Sequence, residues 1–287
     1  METRRARCTV LRALAASPKT DRDLEAAVAA VPLWYHSIEL SPGVVTPGWF
    51  DLRPILEHMP WPDVRGKRCL DVGTWDGHLA FELERRGAAE VVAIDIGSHE
   101  NWDWPPTMLA RGGQRAFEEY TGPEQGVGFR LAREALGSSV EHRTMSVYDL
   151  DRETMGEFDV VTCGSLMLHL RDPMRALERI RSVCSGVFLS AEEIDLRLTV
   201  LRPRQPALRL DGMSDFFQWF IPNAVGHRQM LLASGFQLER WPKPYALPFG
   251  TSHTPRATGA RGAATRTWRK ALTGGDGVPH QAVLARV

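Results

Sequence analysis

The strongest chemical signal in the sequence is a glycine-bearing turn, Leu70-Asp71-Val72-Gly73-Thr74-Trp75-Asp76-Gly77, which follows a short apolar segment and precedes a helical pattern. Glycines let a turn adopt positive φ and let a ligand approach the backbone, and the helix N-terminus offers free N–H groups to an anion. Asp95 comes at the end of the next apolar segment, where a carboxylate can accept hydrogen bonds from both hydroxyls of a ribose. Together these features predict a nucleoside-binding site, with a purely structural glycine turn as the alternative.

The glycine spacing separates two kinds of cofactor. A nicotinamide dinucleotide site normally shows G-x-G-x-x-G, whereas this turn has Gly73 and Gly77 only, with Asp76 between them. The sequence therefore disfavours a pyrophosphate cradle. The spacing D-x-G-x-x-x-G instead resembles the first motif of the class I S-adenosylmethionine-dependent methyltransferases.

The elements around the turn alternate between strands and helices. Short, apolar, β-branched segments at 68–73, 90–96, 158–164 and 186–191 are typical of strands buried on both faces of a parallel sheet, and 141–148 adds another strand. Helical patterns lie at 78–86 and 173–183, the latter with proline at its first turn. This alternation predicts a doubly wound α/β sheet.

The two ends of the chain have a different character. Alanine-rich helical patterns at 9–16 and 21–30 predict a small helical cap at residues 1–33, before one enlarged domain at 34–287. A helix over 223–233 and strands over 236–241 and 280–287 are expected near the end. Residues 250–277, rich in Gly, Thr, Ala and Arg, are expected to form a mobile loop before the final strand.

The resemblance to class I methyltransferases extends from residue 34 to residue 241. Beyond the glycine turn it is carried by Trp34-Tyr35-His36, Thr46-Pro47-Gly48, the segment from Gly164 to Pro173 and Trp219-Phe220-Ile221-Pro222-Asn223. These segments resemble the branch that includes the bacterial wobble-uridine carboxymethyltransferases of tRNA. The resemblance implies a Rossmann-like, seven-stranded sheet whose last strand inserts antiparallel between the fifth and sixth.

The same resemblance assigns the cofactor-binding residues. It implies that Asp71, Gly73 and Gly77 contact the methionine part of S-adenosylmethionine and that Asp95 binds the ribose. The remaining assignments are Ile96, Val147 and Tyr148 at the adenine and Gly164 beside the transferred methyl group.

Two positions depart from the pattern of the resembling branch. Trp75 replaces a glycine often present in the turn, so its side chain is expected to point out of the cofactor cleft. Leu168 stands where the carboxymethyl-transferring enzymes have a tyrosine that helps hold the additional carboxylate. A buried carboxylate without a partner is costly, so ordinary S-adenosylmethionine is the expected cofactor.

Candidate catalytic residues follow the strands or precede the turn. A neutral oxygen or nitrogen acceptor benefits from a base that titrates near physiological pH, which favours histidine. His169 follows the fourth strand, with capping of the next helix as its structural alternative, and His36 lies in a segment that can fold over the cleft. Glu192 follows the fifth strand, where a carboxylate is as often solvated or paired with Arg197.

Composition limits the partners. Thirty-five basic residues balance thirty-five acidic ones, so the whole chain offers no bulk field for nucleic acid or anionic membranes. The four cysteines lack metal-ligand spacing and favour a reducing cytoplasm; no metal site and no membrane segment is expected.

These observations predict a cytoplasmic methyltransferase that acts on an oxygen or nitrogen of a small molecule, with secondary metabolism as the expected setting. The alternatives are a tRNA wobble-uridine enzyme and a non-catalytic cofactor-binding protein. The acceptor atom and the oligomeric state remain open at this level.

Overall fold

A computed structural model describes residues 20–122, 124–212, 217–253 and 260–287, apart from the side chains of residues 260–266. The strands are, in chain order, β1 (Glu39–Ser41), β2 (Val44–Val45), β3 (Arg68–Val72), β4 (Glu90–Asp95), β5 (Glu141–Thr144), β6 (Phe158–Gly164), β7 (Cys184–Glu193), β8 (Leu208–Leu210), β9 (Phe220–Pro222), β10 (Gln237–Arg240), β11 (Tyr245–Pro248) and β12 (Gly277–Arg286). The helices are α1 (Asp21–Ala30), α2 (His78–Arg85), α3 (Pro106–Ala110), α4 (Gly113–Thr121), α5 (Val127–Ala135), α6 (Arg152–Met155), α7 (Pro173–Val183), α8 (Leu196–Leu201), α9 (Ala224–Ala233) and α10 (Ala260–Thr273).

Seven strands form the central sheet in the order β10-β12-β7-β6-β3-β4-β5, and β11 pairs with the first part of β12. The strands from β7 to β5 in that order are parallel, whereas β12 runs antiparallel to both β7 and β10. The predicted Rossmann-like sheet and its antiparallel final strand are confirmed. The final strand begins at Gly277, three residues earlier than expected.

The central strands are apolar on both faces because helices cover both faces. Leu70, Val92 and Val161 are fully buried in one core cluster, to which α7 contributes Leu177 and Ile180. Residues on the opposite face pack against α2 and α5. A sheet covered in this way presents its strand ends, and the loops that follow them, as the accessible edge.

Local signals fix the bounds of α7. Asp172 caps its N-terminus by accepting a hydrogen bond from the Arg175 N–H at 3.0 Å, and Pro173 occupies the first turn, where no intrahelical N–H is needed. The helix spans the predicted residues 173–183.

The expectation of a loop over 250–277 is wrong for residues 260–273, which form α10. Alanine and arginine favour helix, and the four alanines of this segment outweigh its single glycine, Gly262. Gly274, at φ 76°, follows the helix, and its N–H donates to the Lys270 carbonyl. The helix packs against β11 and β12.

The N-terminal helix α1 packs on the domain that follows it. Leu24, Ala27 and Val28 are buried in the same cluster as Phe81 and Phe129. The expected helix over 9–16 lies outside the described residues. No helix in the described part of the chain is long and apolar enough to cross a membrane.

Candidate functional site

The glycine turn after β3 has the backbone that its sequence predicts. Gly73 and Gly77 have φ of 74° and 91°, and the Gly77 N–H donates to the Thr74 carbonyl at 2.8 Å. A Cβ at position 77 would lie 2.4 Å from the Phe81 ring. Glycine is therefore required at position 77 on two grounds, conformation and space.

Trp75 has a φ of 50°, which is unusual for a residue other than glycine. Its ring lies between Tyr35 and Trp102, with centroid distances of 5.9 and 5.8 Å. The Trp75 side chain therefore packs between two other aromatic rings.

Asp95 connects the end of β4 to the turn. Its Oδ2 accepts a hydrogen bond from the Trp75 N–H at 2.7 Å, and its Oδ1 accepts one from the Ile96 N–H at 2.8 Å. Burial raises the pKa of Asp95 to about 6, and the neighbouring Asp71 and Asp76 contribute. Asp95 as a residue is half-buried, and each carboxylate oxygen has a further lone pair, so two ribose hydroxyls can still be bound.

The two residues assigned to the adenine after β5 differ in what they offer. The Val147 side chain is buried in the core cluster, whereas the Tyr148 ring is only partly buried. The Tyr148 hydroxyl donates to Asp103 Oδ2 at 2.6 Å and accepts from the Asp172 N–H at 3.1 Å. With its hydroxyl held in this way, Tyr148 offers a ligand mainly its ring.

A pocket lies at the carboxyl edge of the sheet. The central strands and the loops that follow them contribute Asp71 in β3, Gly73 after it, Gly164 at the end of β6, Ser165 after it, and Ala191 in β7. The remaining lining comes from residues 34–59 (the N-terminal segment), α2, the turn and the two C-terminal strands: His36, Leu52, Met59, Leu79, Thr74, Tyr245, Leu247 and His280. Asp71, Gly73 and Gly164 are the predicted cofactor-binding residues that line it directly.

The N-terminal segment is hydrogen-bonded to the turn through Asp76, to which the sequence analysis assigned no binding or catalytic role. Asp76 is 1% exposed, and its Oδ2 accepts hydrogen bonds from the Tyr35 and His36 N–H groups at 2.9 and 2.7 Å. Its Oδ1 lies 2.5 Å from His36 Nδ1. This carboxylate therefore places His36, a predicted catalytic residue, at the pocket.

The structure does not bring His169 to this pocket. The His169 ring packs on Phe217, with centroids 4.5 Å apart, and its Nδ1 lies 3.4 Å from the Phe217 carbonyl oxygen. Burial lowers the pKa of His169 to about 4.

Glu192 is also absent from the pocket lining in the described residues. It is 2% exposed, and its Oε2 accepts a hydrogen bond from the Met167 N–H at 3.2 Å. Burial raises its pKa to about 8. Because neighbouring residues of a strand point to opposite faces, Ala191 faces the pocket and Glu192 faces the other side, where it supports the loop after β6.

His280 and Ser165 are pocket residues that the sequence interpretation missed. His280 Nε2 lies 2.9 Å from Ser165 Oγ, and His280 Nδ1 lies 3.0 Å from the Val278 carbonyl oxygen. His280 could have been found from the expected antiparallel direction of the final strand. The amino end of such a strand lies at the carboxyl ends of its parallel neighbours, so His280 belongs to the ligand-binding edge.

Comparison with known proteins finds methyltransferases. Residues 51–240 match the family model described as a methyltransferase domain. A ubiquinone biosynthesis O-methyltransferase of Acinetobacter baumannii (strain AYE) is 28% identical over 199 residues, which cover 62% of this chain and 73% of that protein. The protein of the same name from Pseudomonas aeruginosa (strain LESB58) is 31% identical over 147 residues, covering 49% and 51% of the two chains.

A solved structure shares the fold. The N-terminal domain of EvdMO1, determined in the presence of SAH and D-fucose, aligns with a TM-score of 0.51 at 15% identity. The alignment covers 95% of this chain and 99% of that one.

Proposed function

The chain belongs to the methyltransferase domain family, and we propose that it transfers a methyl group to an oxygen of a small molecule. The observation that carries the proposal is a pocket in which the cofactor turn at Gly73 meets His36, Ser165 and His280. The relatives named as O-methyltransferases support oxygen as the acceptor atom.

S-adenosylmethionine is the cofactor, and the residues present fit it. The Asp95 carboxylate, with a lone pair left on each oxygen, suits the ribose hydroxyls, and the positive-φ turn at Gly73 leaves its backbone open to the methionine part. Ile96 and the Tyr148 ring are the proposed adenine contacts. Bound there, the cofactor supplies an electrophilic methyl group.

Methyl transfer is an in-line displacement, so placing the acceptor correctly supplies much of the catalysis. Leu52, Met59 and Leu247 give the pocket an apolar wall, which excludes water and suits the apolar part of an acceptor. This wall is formed where the N-terminal segment meets β11, since the Asp51 N–H donates to the Pro248 carbonyl at 2.9 Å.

His36 is the proposed proton acceptor. A carboxylate can only accept, so the hydrogen between His36 Nδ1 and Asp76 Oδ1 belongs to the ring nitrogen. In the neutral ring Nε2 is then free to take the proton of the acceptor hydroxyl. Asp76 both orients the ring and stabilises the imidazolium that would result.

The test measures release of S-adenosylhomocysteine with a library of hydroxylated small molecules and, separately, with bulk tRNA. We expect turnover with small molecules, and we expect His36→Gln to lower kcat by about 100-fold, within the range of general base catalysis. The exposed His58 provides the control His58→Gln, which should leave kcat unchanged. Turnover with tRNA alone would overturn the proposal, and so would full activity of His36→Gln.

A tRNA acceptor is the second candidate, and its support is the sequence resemblance to the wobble-uridine branch. One of the resembling segments, Trp34-Tyr35-His36, does lie at the pocket through Asp76. The balanced charge of the chain speaks against a polyanionic partner. A methyl transfer to tRNA together with salt-sensitive binding would favour it.

Three further assignments remain proposals. We propose a cytoplasmic location from the cysteine pattern, and secondary metabolism as the setting. We also propose that residues 1–33 form a cap on a domain at 34–287, which the burial of Leu24 and Val28 against that domain supports.

A further inference from the structure

The wall of the pocket formed by Ser165 and His280 has a fixed hydrogen-bond polarity. We propose that Ser165, oriented by His280, is a specificity-determining residue that accepts a hydrogen bond from a second hydroxyl or amino group of the acceptor molecule. This inference rests on the proposed function, because it assigns the acceptor to the same pocket.

The direction of each hydrogen bond follows from the partners of His280. The Val278 carbonyl oxygen, 3.0 Å from Nδ1, can only accept, so Nδ1 carries the ring proton. In a neutral imidazole Nε2 is then an acceptor, and the group 2.9 Å away, Ser165 Oγ, must donate to it. Burial lowers the pKa of His280 to about 4, which keeps the ring neutral near pH 7.

Ser165 therefore has lone pairs to offer and no proton. Tyr35 lies close to Ser165, and its hydroxyl can donate to one lone pair of Ser165 Oγ. A hydroxyl oxygen has two lone pairs, so one remains for a ligand. Ser165 is partly exposed and lines the pocket, so this lone pair is within reach of a bound molecule.

The position of Ser165 is built into the fold. Its φ is 52°, a left-handed value that a serine seldom adopts, and its N–H donates to the Ala191 carbonyl at 2.9 Å. Strained residues persist where the surrounding structure determines them, and they concentrate at functional sites. Here β7 holds the backbone of Ser165 and β12 holds its side chain.

The surrounding charge favours the same kind of ligand group. The Asp71 carboxyl lines the pocket and is an acceptor. Burial raises the pKa of Tyr35, and the nearby Glu193 raises it further. Among the described pocket residues none is lysine or arginine. Such a wall attracts hydroxyl and amino groups and repels carboxylates.

Two molecules could supply the donor group, the acceptor substrate or the amino group of the cofactor. The experiment separates them by measuring both. The probes are the three dihydroxybenzenes and their monomethyl ethers, which differ by one hydrogen-bond donor at each of three spacings. Binding of each probe to the protein saturated with S-adenosylhomocysteine is measured for the wild type and for Ser165→Ala.

We expect the wild type to bind at least one dihydroxybenzene at least about 10-fold more tightly than its ether, since the ether leaves the acceptor lone pair of Ser165 without a partner. Ser165→Ala should abolish that ratio and leave the affinity for S-adenosylhomocysteine unchanged. A carboxylated probe, 4-hydroxybenzoate, should bind more weakly than the dihydroxybenzenes. A ratio that Ser165→Ala preserves would overturn the proposal, and so would the failure of all probes to bind.

A second variant and a matched control complete the experiment. His280→Leu frees the Ser165 proton to face the ligand, so the preference for the hydroxyl over the ether should fall. His227 forms an equivalent pair with Ser190, at 2.9 Å on the other face of β7, and does not line the pocket. His227→Leu should therefore keep the wild-type preference.

The outcomes distinguish the two proposals. If Ser165→Ala weakens S-adenosylhomocysteine instead, the donor is the cofactor and the assignment to the acceptor is wrong, while the proposed function stands. If the probes show the expected preference but no small hydroxylated molecule is methylated, the proposed function fails and the polarity of the site stands.

Discussion

At the residue scale, the site depends on side chains whose hydrogen bonds have a defined direction. Asp95 accepts from the turn, Asp76 accepts from the N-terminal segment, and His280 accepts from Ser165. The two aspartates can only accept, and the Val278 carbonyl makes His280 Nε2 an acceptor as well. Each of these acceptors therefore fixes the direction in which its partner donates. The chemistry of the pocket therefore depends on few residues, most of which belong to different elements.

Asp76 allows the strongest stability prediction at this scale. Asp76→Ala leaves the partly buried N–H groups of Tyr35 and His36 without their acceptor, at about 1–3 kcal/mol each. We expect the free energy of unfolding to fall by about 3 kcal/mol, measured by urea denaturation, and limited proteolysis to reach residues 34–50. Asp63 is exposed and pairs only locally with Arg65, so Asp63→Ala is the control that should leave stability unchanged. Equal stability of the two variants would contradict the anchoring role.

At the element scale, β12 provides both a core strand and a pocket residue. Ala282, Val283, Leu284 and Ala285 are at most 1% exposed, and the strand is hydrogen-bonded on one side to β7 and on the other to β10. Its amino end carries His280 to the site. The strand β12 therefore contributes both to the stability of the core and to the pocket.

Truncation tests the role of this strand. Deleting residues 280–287 removes the hydrogen-bond partner of two strands and exposes their apolar faces, so we expect no soluble, folded protein. Deleting Val287 alone, which is partly exposed at the end of the strand, is the control and should give soluble protein. Soluble expression of the longer truncation with an unchanged melting temperature would be incompatible with this topology.

Local sequence patterns were sufficient to predict the central strands and α7, because burial on both faces and helix capping each require particular residue types over a few consecutive positions. The turn and Asp95 were also predicted from neighbouring residues, the glycines and the end of an apolar segment. The pair of Ser165 and His280 joins residues 115 positions apart, and its existence depends on the register of β12 against β7. The helix α10 was missed because glycine and threonine suggest a loop, whereas alanine and arginine determine the outcome.

At the scale of the whole molecule, the N-terminal segment and the β11–β12 pair together close the pocket on the carboxyl edge of the sheet. Phe50 forms a bridge with Phe249, and the Gly250 N–H donates to the Trp49 carbonyl at 2.7 Å. The loops after β3 and β6 supply the cofactor turn and Ser165, while the N-terminal segment and the β11–β12 pair supply the other groups proposed to contact the acceptor. Cofactor binding and acceptor choice are therefore assigned to adjoining parts of one pocket.

The pH dependence of cofactor binding should report this arrangement. Burial raises the pKa of Asp95 to about 6, so the side chain is ionised above that pH and can accept two hydroxyl hydrogen bonds. Below it the protonated carboxyl loses acceptor capacity. If Asp95 binds the ribose as proposed, affinity for S-adenosylhomocysteine falls as the pH decreases from 7.5 to 5, and Asp95→Asn binds more weakly with a flatter profile.

The most direct test of the whole account is calorimetric titration of the wild type and Asp95→Ala with S-adenosylhomocysteine at pH 7.5, with Asp63→Ala as the control. The loss of two hydrogen bonds to a charged acceptor predicts a decrease in affinity of about 100-fold for Asp95→Ala. The control should bind as the wild type does. Equal affinity of Asp95→Ala and the wild type, or no binding by the wild type, would contradict the assignment of this site to S-adenosylmethionine.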